Sequence, residues 1–269
     1  MHSCEKLRPY PFVRRMRTML RVDLRRMFTM PMLYLLVAAC LVMPVVILVM
    51  TAMMDGSVTY DPQTGAATVI QGFQNTWQII GTVSSAQGAM SMDITSMCNI
   101  NMLYFFVAVL VCSFVSGDFR SGYAKNLFAL RAKKTDYVIS KTLVCALGGG
   151  LMILAFIAGS MVGGAVAGLP FDMVGFGVGN AVACLLGKVV LVGVFVPIYL
   201  MMSVIAKQKL WLSTLLSLMT GMFLFMMIPM TTPLDSTAMH VLLCLAGGAM
   251  FSFGLGWGST KILEKTSLM

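Results

Sequence analysis

Six apolar runs, each about as long as a bilayer is thick, constrain this chain more than any single motif. They fall at Met32 to Met53, Met97 to Ser116, Val138 to Val166, Val178 to Ile205, Leu212 to Met230 and Val241 to Ser259. An apolar helix of ~20 residues crosses a hydrocarbon core of about 30 Å and satisfies its own backbone hydrogen bonds there. Composition agrees. Of 269 residues, 58% are hydrophobic and 11% charged, against about 25% charged in a soluble domain, too few to clothe a surface facing water. The fold class this predicts is all-α: a polytopic integral membrane protein of six transmembrane helices.

Charge gives that bundle a direction. Every lysine and arginine except Lys188 lies in residues 1–30, 116–141, 207–209 or 261–265, and the connections 54–96, 168–177 and 231–240 hold none. Basic loops stay in the cytoplasm, so both termini are expected inside and the long 54–96 loop outside, in a bacterial plasma membrane. The net charge of +9 then reads as topology and attraction to anionic membrane lipid, with no nucleic-acid partner. Residues 1–30 are too polar and too basic for a cleavable signal, and no small-residue cleavage site follows the first run. The seven cysteines stand singly without a CxxC, which points to neither disulfides nor a metal site.

The segments around the spans carry their own patterns. In "VRRMRTMLRVDLRRMF", Val13, Met16, Leu20, Leu24 and Met27 recur at helical spacing among arginines, which predicts an amphipathic helix in the cytoplasmic interface over 1–30. Pro31 marks the turn into a membrane domain over 31–260, followed by a tail over 261–269. In the outer loop, Ile70, Phe73, Trp77 and Ile80 share a face if wound as a short helix; an ordinary ordered loop fits equally well. The connection 117–137 is the unusual one. Read as a helix, it aligns Phe119, Tyr123, Leu127 and Leu130, with Lys125 and Arg131 elsewhere on the wheel. Such a stripe suits a helix lying on the bilayer or inserted into another protein. A plain topogenic loop is the simpler reading.

The stretch "DFRSGYAKNLFALRAKKTDYVISK" resembles the first intracellular loop of ABC type-2 permeases, the membrane subunits of bacterial ABC exporters. The resemblance rests on Asp118-Phe119, Gly122, Lys125-Asn126, the basic cluster Arg131 to Lys134, and Lys141 opening the next span. It departs in having Gly117-Asp118 where glutamate is common. The six-span plan, the amphipathic start and the long first outer loop also match. The resemblance implies that Phe119 to Leu130 forms a coupling helix, with Asp118, Gly122 and Asn126 among its functional residues. It would dock on a separate ATPase subunit, two copies of which serve a pair of identical or related permease chains. ATP and magnesium would then sit on the partner, with no cofactor on this chain. By the same resemblance the substrate path runs between the two permease chains, bordered by the second and fifth spans. Asn101, Tyr104 and Phe105 are candidates for its wall, and the cargo would be hydrophobic or amphipathic: a peptide, an antibiotic or a lipid.

Other chemistry lacks its parts. Gly187-Lys188 is followed by Val189, with no glycine at position 182, so there is no phosphate-cradling loop. "GLGWG" (Gly254 to Gly258) lies inside an apolar run with no strand before it; its glycines, like Gly159 and Gly163, and Gly164 and Gly168, suit close helix packing. His240 and Ser116 fall on opposite membrane faces, so no base and nucleophile meet, and no HExxH motif occurs. An enzymatic activity on this chain is not expected. Lys188 is the one ionisable residue well inside a span, where it costs about 2.5–3.5 kcal/mol on insertion scales. It either snorkels outward or packs at a helix end, or it lines a path. The 27 methionines admit a copper-linked permease, since thioethers bind Cu(I). Their spread over every span suits gap-filling in apolar walls better. A self-sufficient secondary transporter or channel is the remaining alternative, though no half-to-half repeat supports it.

Overall fold

The computed structural model describes residues 12–60, 67–83, 98–129, 133–207, 209–225 and 228–265. It is helical apart from one short hairpin, and five of its helices are long and apolar enough to cross a membrane. The amphipathic start forms α1 (Phe12–Thr29). At Met30 the backbone leaves the helical region (φ −83°, ψ 118°) and Pro31 opens α2 (Pro31–Met54). Proline suits that first position because its missing N–H would have had no helical acceptor. Beyond α2, β1 (Val58–Tyr60) pairs antiparallel with β2 (Ala67–Val69), Val58 opposite Val69. A 3₁₀ turn at Ile100–Met102 leads into α3 (Leu103–Arg120), then come α4 (Tyr123–Ala129), α5 (Lys134–Ala167) and α6 (Val178–Ala206). The chain finishes with α7 (Leu210–Phe225), a single turn α8 (Ile228–Thr231) and α9 (Ala238–Lys265).

Packing sorts these helices into inner and outer. The α3 span touches α5, α6 and α7 and is 67% buried, whereas α2, laid along α5, is 28% buried and α9, laid along α6, 11%. The exposed faces of α2 (Leu35, Val42, Val46) and α9 (Met250, Phe253, Trp257) are apolar, as lipid contact requires. Between α2 and α5 the backbones nearly touch. Gly159 faces Leu41 and Pro44, and a Cβ at Gly163 would lie 2.8 Å from Val45 Cα. This is the small-residue packing that the glycine spacing predicts. Gly164 instead meets Thr76, and Gly168 ends α5 at φ +71°. The Gly254 to Gly258 run does not pack this way. Gly254 faces open space, and Gly256 and Gly258 have only ordinary contacts, because α9 lies on the outside of the bundle.

One further expectation is corrected. The second run does not stop at Ser116 but continues as helix to Arg120, since Asp118 finds its charge partners inside the protein. Of the two readings of residues 70–80, the structure takes the ordered loop. Among the described residues of that segment the helical part is a 3₁₀ turn, Thr76–Ile79, where the Asn75 side chain accepts from Trp77 N. Trp77 Nε1 donates to Phe171 O (3.1 Å) and Thr76 N to Pro170 O (3.1 Å), so tertiary bonds to the α5–α6 connection override a helical period. Phe73, Ile79 and Ile80 are accordingly buried against the bundle. In the fifth run Leu210–Phe225 and Ile228–Thr231 are helical, and residues 226 and 227 between them lie outside the described residues.

Both described chain ends lie at one end of the bundle. Arg15 pairs with Asp136, and Lys134 Nζ donates to Leu263 O (2.6 Å), which brings α1, the start of α5 and the last turn of α9 together. The hairpin and the α5–α6 connection occupy the opposite end.

Candidate functional site: a buried charge cluster beside the α3–α5 connection

Helical spacing prepares this site on three elements. Asp23 and Met27 are four apart on α1, Phe114 and Asp118 on α3, and Tyr137 and Lys141 on α5, so each pair shares a face. The three faces converge. Lys141, fully buried, sits between two fully buried carboxylates, 2.8 Å from Asp23 Oδ1 and 2.7 Å from Asp118 Oδ2. Ser140 Oγ donates to Asp23 Oδ2 (2.6 Å), and Tyr137 OH donates to Asp118 Oδ2 (2.9 Å). Arg26 Nη2 reaches Asp118 Oδ1 at 2.7 Å. Two acids thus meet two cations, and the hydroxyls take up remaining lone pairs. Burying an ion costs several kcal/mol unless it is paired in this way.

Aromatic rings close the cluster. The Lys141 ammonium lies 3.9 Å from the centre of the Phe114 ring, and the Arg26 guanidinium carbon 3.8 Å from that of Tyr123. Burial alone would lower the Arg26 guanidinium, but the charge and hydrogen bond of Asp118 outweigh it and its pKa is raised on balance. Burial likewise pushes the Tyr123 phenol up.

The residues expected to couple to a partner divide between this cluster and the surface. Asp118 lies at its heart, and Phe119 is buried in the core. The chain does not run as one helix from Phe119 onward: it breaks at Ser121-Gly122, where Gly122 adopts φ +73°, a conformation that favours glycine. Tyr123 opens α4 over Arg26, and Phe128 meets Tyr137 edge-on at 5.4 Å. Leu127 packs against the core, while Lys125 and Asn126 are exposed. The apolar stripe therefore faces into this chain, and the polar face of α4 is the outer one. Leu130 and Arg131 lie outside the described residues.

A second polar site stands higher in the bundle, where three of the four residues expected to wall a path meet. Lys188 is 1% exposed, and its ammonium donates to Asn101 Oδ1 (3.2 Å) and Thr232 Oγ1 (3.0 Å). Tyr104 OH donates to Lys188 O (2.9 Å), and its ring stacks on Phe195. The lysine does not snorkel outward, because neutral acceptors in the 3₁₀ turn before α3 and in the α8–α9 connection receive it within the bundle. Phe105 turns aside to stack on Phe225.

Ser116 and His240 lie at opposite ends of the bundle, His240 against Thr237. Among the described residues no group of three or more His, Cys, Asp or Glu side chains is placed to hold a metal ion. The sequence reading missed Asp23, Arg26, Tyr137 and Ser140. One signal was available: Asp23 is the single acid within α1, four residues from Met27 on its inward face. No protein-family model, curated protein or solved structure matches this chain. The cluster can hold α1, α3 and α5 as one mechanical unit, with α4 resting on it at both of its ends.

Proposed function

We propose that this chain is the membrane-spanning permease subunit of an ATP-driven ABC exporter of the type-2 kind. In this reading the basic end is cytoplasmic, α7 with α8 makes a sixth crossing, and α4 is the coupling helix. A separate ATPase subunit, present in two copies, presses on the exposed Arg120, Lys125 and Asn126. Two permease chains enclose a path for a hydrophobic or amphipathic cargo, and alternating access arises as the spans tilt together. The observation that carries the reading is the seating of α4. A plain topogenic loop needs no attachment, whereas this helix is fixed through Tyr123 to Arg26 and through Phe128 to Tyr137. A push on its outer face therefore reaches α1, α3 and α5 at once.

Co-expression with an ABC-type ATPase from the same source tests this. The expected result is stable co-purification, with ATP hydrolysis altered by Lys125→Glu and Asn126→Ala. The buried Lys188 favours one second reading, a secondary transporter with an intramembrane ionisable group. Transport driven by an ion gradient with no ATPase present would decide for it.

A further inference from the structure

Between α5 and α9 runs a groove of about 450 Å³, half open to the outside of the bundle. Its walls come from Val138, Ile139 and Leu143 on α5 and from Ala249, Phe253 and Trp257 on α9. Three of its four hydroxyls are already used, Ser252 reaching Gly193 O at 3.4 Å. Thr142 donates to Val138 O and Thr260 to Gly256 O, each at 2.9 Å, so both bond within their own helices. Below Thr135, which stands exposed at the mouth, the interior offers apolar surface and hydroxyls already bonded, which suits an acyl chain better than a polar ligand.

The mouth has the opposite character. It reaches the basic end at Thr135 and Thr260, which adjoin in sequence Lys133 and Lys134 at the start of α5 and Lys261 in the last turns of α9, with Lys265 closing that helix. Lys261 Nζ stands 5.2 Å from the Trp257 ring, a pairing of cation and amphipathic ring typical of a membrane–water boundary. Lys134 is fixed by its bond to Leu263 O. Two acids are near in sequence: Asp136 is taken by Arg15, which leaves Glu264 against four lysines. Basic pockets between helices at the cytoplasmic boundary attract anionic headgroups.

We propose that this groove binds one anionic phospholipid, an acyl chain between α5 and α9 and its phosphate at Lys133 and Lys261. The site joins the two helices at their basic ends without a protein partner. It requires only that the chain resides in a membrane, so its test is independent of any ATPase.

The experiment reconstitutes the purified chain in nanodiscs of equal phosphatidylglycerol and phosphatidylcholine with identical acyl chains. It is then re-extracted and the retained lipid counted by mass spectrometry. Phosphatidylglycerol should be retained preferentially, and Lys261→Ala and Lys133→Ala should each reduce that preference by roughly fivefold. Both lysines are exposed, so neither variant endangers the fold. Ala249→Phe, which fills the groove from its exposed wall, should remove the retained lipid of either kind. Equal retention of the two lipids would overturn the proposal. So would a preference that survives removal of both lysines. A shift from dimer to monomer in Ala249→Phe, with lipid retention unchanged, would show that a second copy of this chain occupies the groove instead.

Discussion

Lys141 carries the tightest electrostatic constraint in the protein. It is the shared partner of Asp23 and Asp118, both as fully buried as itself. Lys141→Met leaves two carboxylates in the interior with only Arg26 to compensate them. We expect it to destabilise the detergent-solubilised protein by about 3–5 kcal/mol, read as a lowered midpoint in a melting or denaturant series. Adding Asp23→Asn should recover part of that loss, since the second change removes the charge the first left unpaired. Strict additivity would argue that the two residues do not interact. Lys188 behaves differently because its partners are neutral. Lys188→Met exchanges a buried cation for an apolar side chain of similar length, so stability should move by no more than ~1 kcal/mol. Under the proposed permease function, export should fall with assembly intact, and unchanged transport would remove the lysine from the path. Half of this was legible in the sequence: Lys141 and Asp118 stood out in the charged connection, and Lys188 as a lone cation in an apolar run. Their partners were not. Asp23 lies 118 residues from Lys141, and no local periodicity reports a contact made across the fold.

At the scale of elements, glycine decides where helices end and how closely they approach. Gly122 separates α3 from α4 with φ +73° and open space around it. Gly122→Ala therefore meets no clash but strains the backbone by about 1–2 kcal/mol. The strain falls on the joint between the central span and α4, so the expected signature is a modest drop in melting temperature and, under the proposed function, a change in ATPase coupling. Gly163 constrains by contact, facing the α2 backbone at Val45. Gly163→Val should cost about 1–3 kcal/mol through overpacking, whereas Gly254→Val, pointing into open space, should stay within ±0.5 kcal/mol. Equal losses from both would mean that α2 and α5 do not pack as described. The glycine spacing of α5 was readable because its pattern repeats on one helical face. The similar run in α9 misled because spacing alone does not reveal whether a second helix lies opposite. The outer segment shows the same limit: Ile70, Phe73, Trp77 and Ile80 have a helical period, yet the bonds of Trp77 and Thr76 to the α5–α6 connection hold a 3₁₀ turn instead.

For the whole molecule, the distribution of charge sets which way the bundle stands in the membrane. The geometry gathers α1, the α3–α5 connection and the end of α9 at one end, and lysine and arginine fall there almost exclusively. A bilayer with an inside-negative potential and an anionic inner leaflet favours that end in the cytoplasm. The described part of α7, 16 residues, is short of the ~20 that span a membrane unaided, so a sixth crossing needs α7 and α8 together. Single cysteines resolve both points in a background lacking Cys4 and Cys98. Ser57→Cys beyond α2, Lys125→Cys on α4 and Thr237→Cys before α9 all sit at exposed positions. In intact cells a membrane-impermeant maleimide should label the first and third, and reach the second only after permeabilisation. Labelling at Lys125 in intact cells would place α4 outside and end the coupling-helix reading, because no ATPase could press on it there. Protection at Thr237 would instead mean that α7 turns back within the bilayer. Helix α9 would then run the other way and its last turn would face outward, against its contact with Lys134 at the basic end.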